Sequence, residues 1–181
     1  TEAILATAEE QSINTLIVDF SFLRNNRKLL SLSTCDVIGV KPGKNFTKDI
    51  SNLIVSYDSG RHSNLGLEIA AAISKQHNSK IRIVRGKNQP PEIETQIVNK
   101  INDMMVNLDI KKMQFEEVEP KTKNMLVSSE LLKNFARTKT GIVILGAGNQ
   151  ADTAFSPKTL ELADKSKKTT IIVRNHMFSE F

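Results

Sequence analysis

Short apolar runs of strand length alternate with amphipathic helical stretches along the chain, and this alternation restricts the fold more than any other feature. A strand, a helix and a second strand make a β-α-β unit, and a series of such units builds a parallel sheet covered by helices. The clearest stretch begins at Asn52. Leu53, Ile54 and Val55 read as a buried strand, and Asp58-Ser59-Gly60 as a turn. Leu65, Ile69, Ala72 and Ile73 then fall at helical spacing between Ser63 and Lys75. Asn78-Ser79 ends that helix, and Ile81, Ile83 and Val84 form the next strand. Pro90-Pro91 bars its continuation, while Glu92 and Glu94 favour the first turn of a helix reaching about Leu108.

The pattern continues to the end. Met113 to Val118 alternates apolar and polar positions, which predicts a half-exposed strand toward one edge. A helix is expected from about Val127 to Arg137. Gly141 then introduces Ile142-Val143-Ile144-Leu145, whose unbroken apolar character implies cover on both faces. Pro157 suits the first turn of a helix carrying Leu160, Leu162 and Ala163, and Thr169 to Val173 reads as the last strand. Residues 51–176 therefore predict a complete α/β domain: an open, mostly parallel five-stranded sheet with helices on both faces, followed by a tail at 177–181.

Residues 1–43 read as the second half of the same plan without its first half. Ala3 to Gln11 resembles the Val127–Arg137 stretch, and Thr15 to Val18 resembles Ile142 to Leu145. Arg27 to Ser33 resembles Pro157 to Lys165, and Val37 to Val40 resembles Ile171 to Val173. The interval between the paired strands is shorter in the first copy. Residues 1–43 are thus expected to be a half-domain remnant, with 44–50 as a linker and the chain starting in the middle of a domain.

With 181 residues the chain has room for one good core and an appendage. No apolar run approaches the roughly 18 to 20 residues that span a bilayer. Cys35 is the only cysteine, so no internal disulfide can form, and a cytoplasmic setting is expected. The formal charge of +5 could serve an anionic partner. The lysines are spread out, however, and with no Trp and one Tyr the stacking platforms of nucleic-acid binders are missing. No nucleic-acid partner is expected. His62, His77 and His176 are scattered, without the spacing of metal ligands, and read as surface residues. Cys35, just before an apolar strand, reads as a small buried thiol. No acid–base constellation stands out, so no catalytic residue and no enzyme activity are expected.

The segment NLIVSYDSGRHSNLGLEIAAAISKQHNSKIRIVRG, from Asn52 to Gly86, resembles the opening β-α-β of universal stress proteins. GIVILGAGNQ and the later TTIIVRN resemble that family's last β-α-β. The resemblance implies the universal stress protein, or adenine-nucleotide hydrolase-like, fold and ATP or AMP as a ligand. By this resemblance Asp58 matches the carboxylate that meets the nucleoside and Val84 a position beside the adenine. Leu145 and Gly146 match the start of the phosphate-side loop, and Gly148 is a looser match. Ser156 is placed either to donate to a phosphate or to cap the helix at Pro157. Asp58 also reads as a turn carboxylate capping the helix near Ser63, and Gly146 and Gly148 as a tight strand-to-helix turn.

The loop departs from the family's pattern. GAGNQADTAFSP lacks the second glycine group and carries Asp152, which would repel phosphate, and the matching stretch VDFSFLRNN has no glycine at all. The site is therefore expected to be degenerate. Family resemblance further implies a homodimer through the last strand, Thr169 to Val173. It also implies a regulatory or ligand-sensing module on the cytoplasmic face of a membrane transporter, of the amino-acid permease or cation/proton antiporter type. The alternative is a free-standing universal stress protein that binds ATP or AMP. A second alternative is an NADP-dependent oxidoreductase fragment, because Gly146 to Ala151 fits G-x-G-x-x-A and Arg174 could meet a 2′-phosphate. Replacing Gly146 by Val is expected to abolish binding and leave the fold largely intact.

Overall fold

The apolar runs become strands buried on both sides of one sheet. The computed structural model describes residues 1–44, 46–57, 60–86, 91–107, 110, 113–118, 141–147 and 157–176. In chain order the elements are α1 (Glu2–Glu10), β1 (Thr15–Asp19), α2 (Phe20–Asn25), α3 (Lys28–Leu32), β2 (Asp36–Lys41), α4 (Phe46–Asp49) and β3 (Asn52–Ser56). They continue with α5 (Arg61–His77), β4 (Lys80–Gly86), α6 (Pro91–Asn107), β5 (Met113–Val118), β6 (Ile142–Gly146), α7 (Pro157–Lys165) and β7 (Thr170–Arg174). The helix expected at Val127–Arg137 and the 177–181 tail lie outside the described residues.

Among the described residues the sheet has seven strands in the order β1-β2-β7-β6-β3-β4-β5. Five of them, β3 to β7, are the strands expected of residues 51–176. The other two extend the same sheet, so the N-terminal unit does not stand apart as an appendage. Every neighbouring pair is parallel except β2 and β7.

Alternation along each strand divides the core into two layers. Leu53, Val55, Ile81, Ile83, Ile142 and Ile144 face α5 and α6, whose Leu67, Ala70, Ala71, Ile97 and Ile101 cover them. On the opposite face Ile54, Val84, Val143 and Leu145 meet Leu162 of α7. Beside them Val37 and Ile172 pack with Leu160 and Ala163 of α7 and with Phe20, Leu23, Leu29 and Leu30 of α2 and α3. Burial on both faces is why these strands read as unbroken apolar runs. The expected linker is itself structured. Asp49 of α4 is 4% exposed, and its Oδ1 accepts a hydrogen bond from Gly141 N at 3.1 Å.

The antiparallel seam joins the two units. Its register runs from Val37 opposite Arg174 to Lys41 opposite Thr170, with Gly39 opposite Ile172 at the centre. An antiparallel pair has a local two-fold axis, and here side-chain contacts obey it as well as backbone. Lys41 Nζ donates to Ser166 O at 2.9 Å, just past the end of α7, and Arg174 Nη1 donates to Ser33 O, at the end of α3, at 3.5 Å. Gly43 N donates to Thr169 Oγ1 at 2.9 Å, and His176 N to Asp36 Oδ1 at 2.6 Å. Ser33 Oγ closes a small turn with Cys35 N and O at 3.2 and 3.0 Å, and Ser166 Oγ closes the same turn with Lys168 N and O at 3.2 and 3.4 Å. In each pair a residue of one unit has its counterpart in the other. Each unit thus places a cation at the carbonyl end of the other's helix, where the helix dipole favours it.

This seam replaces the expected contact between copies. β7 is flanked by β6 on one side and β2 on the other, so neither edge is left for the last strand of a second chain. The fit is close, since a Cβ on Gly43 would lie 2.4 Å from Thr169 N.

Lys41 Nζ also donates to Ala163 O and Asp164 O, both at 2.7 Å. Lys41→Met keeps the aliphatic stem and removes the charged donor from three carbonyls. It is expected to lower the unfolding free energy by about 1–3 kcal/mol, measured by urea titration. An unchanged transition would show that water serves the carbonyls equally well.

Candidate functional site

In open α/β sheets the strand order fixes where a ligand can sit. From β3 the chain moves outward through α5 to β4, and later returns to place β6 on the other side of β3. β3 and β6 therefore flank a topological switch point, and the crevice beyond their carboxyl ends is the place where such folds bind ligands. On one side of it stands Tyr57, 2% exposed, whose N donates to Val84 O at 2.9 Å and whose hydroxyl donates to Asn64 Oδ1 at 2.8 Å. On the other stand Gly146 and Ala147, with Ala147 N donating to Val173 O at 2.9 Å.

Helix α5 begins in this crevice. Gly60 is its N-cap, in extended conformation, and Ser63 Oγ donates back to Gly60 O at 2.9 Å. Two glycines let the helix lie close to the sheet. A Cβ on Gly66 would lie 3.2 Å from Ile144 Cγ2, and one on Gly146 would lie 3.1 Å from Ser63 N and 3.2 Å from His62 C. Gly146 thus holds β6 against the first turn of α5.

Of the six residues singled out in the sequence, Val84, Leu145 and Gly146 are brought together at the carboxyl ends of β4 and β6, on either side of β3. Val84 and Leu145 share one apolar cluster with Leu162 of α7 and are 1% and 4% exposed, so their side chains belong to the core layer under α7. Asp58, Gly148 and Ser156 lie outside the described residues.

The sequence reading missed His62, which it placed on the surface. The residue is 9% exposed, and its Nδ1 accepts a hydrogen bond from Asn175 N at 3.0 Å, fastening the start of α5 to the chain leaving β7. His62 precedes Gly66 by one helical turn, so both lie on the face turned to the sheet. That spacing was the available signal. His77 is exposed and His176 half-buried, while Cys35 is buried as expected. Arg174, the candidate for a 2′-phosphate, is half-buried in the seam and donates to Ser33 O. Burial holds its guanidinium below the ordinary range; Arg61 acts in the same direction, and Asp36 and Cys35 oppose it.

The N-terminal unit carries a different arrangement at the matching place. Val18 is opposite Gly39 and Leu145 opposite Ile172, so Asp19 in β1 corresponds to Gly146 in β6. No loop follows Asp19. The strand runs directly into α2, and the Asp19 carboxylate caps the helix, accepting from Ser21 N at 2.7 Å, from Phe22 N at 3.4 Å and from the Ser21 hydroxyl. The Ser21 side chain, then its backbone N–H, holds the carboxyl below the usual carboxylate range. A lowered folded-state value means the cap supports the fold above the unfolded-state value near 4 and loses that support as pH falls through the folded one. The position that is Gly146 at the end of β6 thus carries a built-in anion in β1.

No protein-family profile matches the chain, and no curated protein sequence matches it. Solved structures do. A universal stress protein from Archaeoglobus fulgidus superposes with a TM-score of 0.66 at 12% identity, over 96% of this chain and 64% of that one. The chain therefore spans just under two thirds of that protein's length. UspA from Lactobacillus plantarum gives a TM-score of 0.55 at 11% identity, over 70% of this chain and 99% of that one. A universal stress protein solved in complex with cAMP gives 0.55 at 16% identity, over 68% of this chain and 96% of that one. The chain has the universal stress protein fold.

Because a side chain at position 146 meets the backbone of α5, Gly146→Val is now expected to weaken the fold, in contrast to the sequence-based expectation. The overpacking should cost about 1–3 kcal/mol, read as a lowered melting temperature. A variant that melts like the parent would return Gly146 to a role confined to ligand approach.

Proposed function

We propose that the chain is a ligand-sensing module that takes an adenine nucleotide beyond the carboxyl ends of β3, β4 and β6 and acts through protein contacts, not through catalysis. The observation that carries this reading is the switch point between β3 and β6, with Val84, Leu145 and Gly146 gathered around it. A solved universal stress protein of the same fold holds cAMP, which supports a small nucleotide as the ligand class. Asp58 would meet the nucleoside, and the loop from Gly146 through Gly148 to Ser156 would face the phosphates.

One site per chain fits this reading better than two. In the N-terminal unit the strand enters the helix without a loop, and the Asp19 carboxylate holds the helix start. Residues 1–43 are on this reading the C-terminal half of a preceding universal-stress-type repeat, and 51–176 a complete one. The reciprocal contacts of the seam support that division.

The finer reading attaches the module to the cytoplasmic face of a membrane transporter of the amino-acid permease or cation/proton antiporter type. Among the described residues no helix is long and apolar enough to cross a membrane, so the spanning part would lie outside them. A free-standing protein that binds ATP or AMP is the alternative. Hydrophobic spans encoded on the same polypeptide would decide for the first.

The test is a thermal-shift titration with AMP, ATP, cAMP, a cyclic dinucleotide and NADPH. Saturable stabilisation by an adenine nucleotide is expected, at about 2.7 kcal/mol when the ligand is at 100 times its dissociation constant. No response to any of them would leave a domain that keeps the fold for protein contacts alone. A response to NADPH only would favour the dinucleotide reading.

A further inference from the structure

The seam makes β1 the counterpart of β6, yet the two strands have unequal neighbours. β6 is flanked on its far side by β3, in parallel register from Leu53 opposite Ile142 to Val55 opposite Ile144. Ile144 is fully buried under α5, with Gly66 against it. β1 pairs with β2 and, among the described residues, is the terminal strand of the sheet. Its Leu16 and Val18 pack into the layer under α2 and α3, whereas Thr15, Ile17 and Asp19 face outward and are exposed. Ile17, the counterpart of Ile144, is 67% exposed. An exposed apolar side chain on the end strand, beside a backbone edge that no strand among the described residues pairs, is a template for pairing.

We propose that the outer edge of β1 and the Ile17 face form a docking surface for a strand–helix unit built like Asn52–His77. The partner strand would lie parallel to β1 beside Thr15–Ile17, and its helix would set a small residue over Ile17. The symmetry of the seam identifies this occupant, because the equivalent edge and face on the other side of the axis are covered by β3 and α5. A second copy offering its own β1 would pair antiparallel and bring no helix over Ile17. The partner is therefore a polypeptide segment carrying the first half of this same fold, joined by main-chain hydrogen bonds along the strand and apolar burial under the helix. The inference rests on the seam and is independent of the nucleotide reading.

The probe is a duplicate of residues 44–118 joined ahead of Thr1 of the complete chain by a short glycine-serine linker. Hydrogen exchange at Thr15–Asp19 is expected to slow by about tenfold or more, with the added segment itself protected. Ile17→Asp in the fused protein should restore fast exchange in β1. In the 181-residue chain the same substitution should leave the melting temperature nearly unchanged, because the side chain is exposed there. An unprotected added segment with unchanged exchange in β1 overturns the proposal. So does self-association of the unfused chain, seen by sedimentation, that Ile17→Asp abolishes, since that result assigns the edge to a second copy.

Discussion

Everything in this molecule is organised about the antiparallel pairing of β2 with β7. Five residues on each strand are in register, and the pairing joins two parallel half-sheets, β1-β2 and β6-β3-β4-β5 with β7 at the seam, into one surface. Without it the N-terminal unit would be two strands and three short helices, too little apolar area to outweigh the entropy of ordering them. With it, Leu23, Leu29 and Leu30 bury against Ile172 and the inner face of α7. The cations that bridge the halves, Lys41 and Arg174, lie at helix carbonyl ends and so add direction to an otherwise apolar contact.

The same pairing explains why the two units differ in chemistry. Both have a strand that ends near the start of a helix, but β6 ends in a glycine, Gly146, packed against the first turn of α5. In β1 the matching residue is Asp19, whose carboxylate accepts from Ser21 N and Phe22 N and so sets a negative charge at the start of α2. In one unit the helix start is held by an internal charge, and in the other the strand end lies at the switch point between β3 and β6. Gly146 permits the close approach of α5 there.

Most of the fold was legible in the sequence because both of its layers are apolar. Runs such as Leu53-Ile54-Val55 and Ile142 to Leu145 admit little besides strands covered on each side, and the Leu- and Ala-rich stretch from Ser63 to Lys75 has a helical period. The sequence also matched Thr15–Val18 with Ile142–Leu145, and the strand registers set these residues at equivalent positions about the β2–β7 pairing. What one chain's pattern could not carry was the relation between the repeats. An apolar edge such as Thr170–Arg174 asks for a partner strand without naming it, and the partner was β2 of the same chain, not a second copy. His62 was missed for a similar reason, since its burial comes from a contact with Asn175 more than 100 positions away. At the candidate site, Val84, Leu145 and Gly146 were singled out by family resemblance, and the structure sets them at the carboxyl ends of β4 and β6, while the tight fit of Gly146 against α5 belongs to packing that no local pattern records.

The central claim is that the seam makes the two units one cooperative structure, and native-state hydrogen exchange tests it most directly. Under increasing urea, the amide protons of β2 and β7 should exchange together, with the free energy of global unfolding. Exchange of β1 and β2 through an earlier opening, while β6 and β7 stay protected, would show that the N-terminal unit is only appended to the domain.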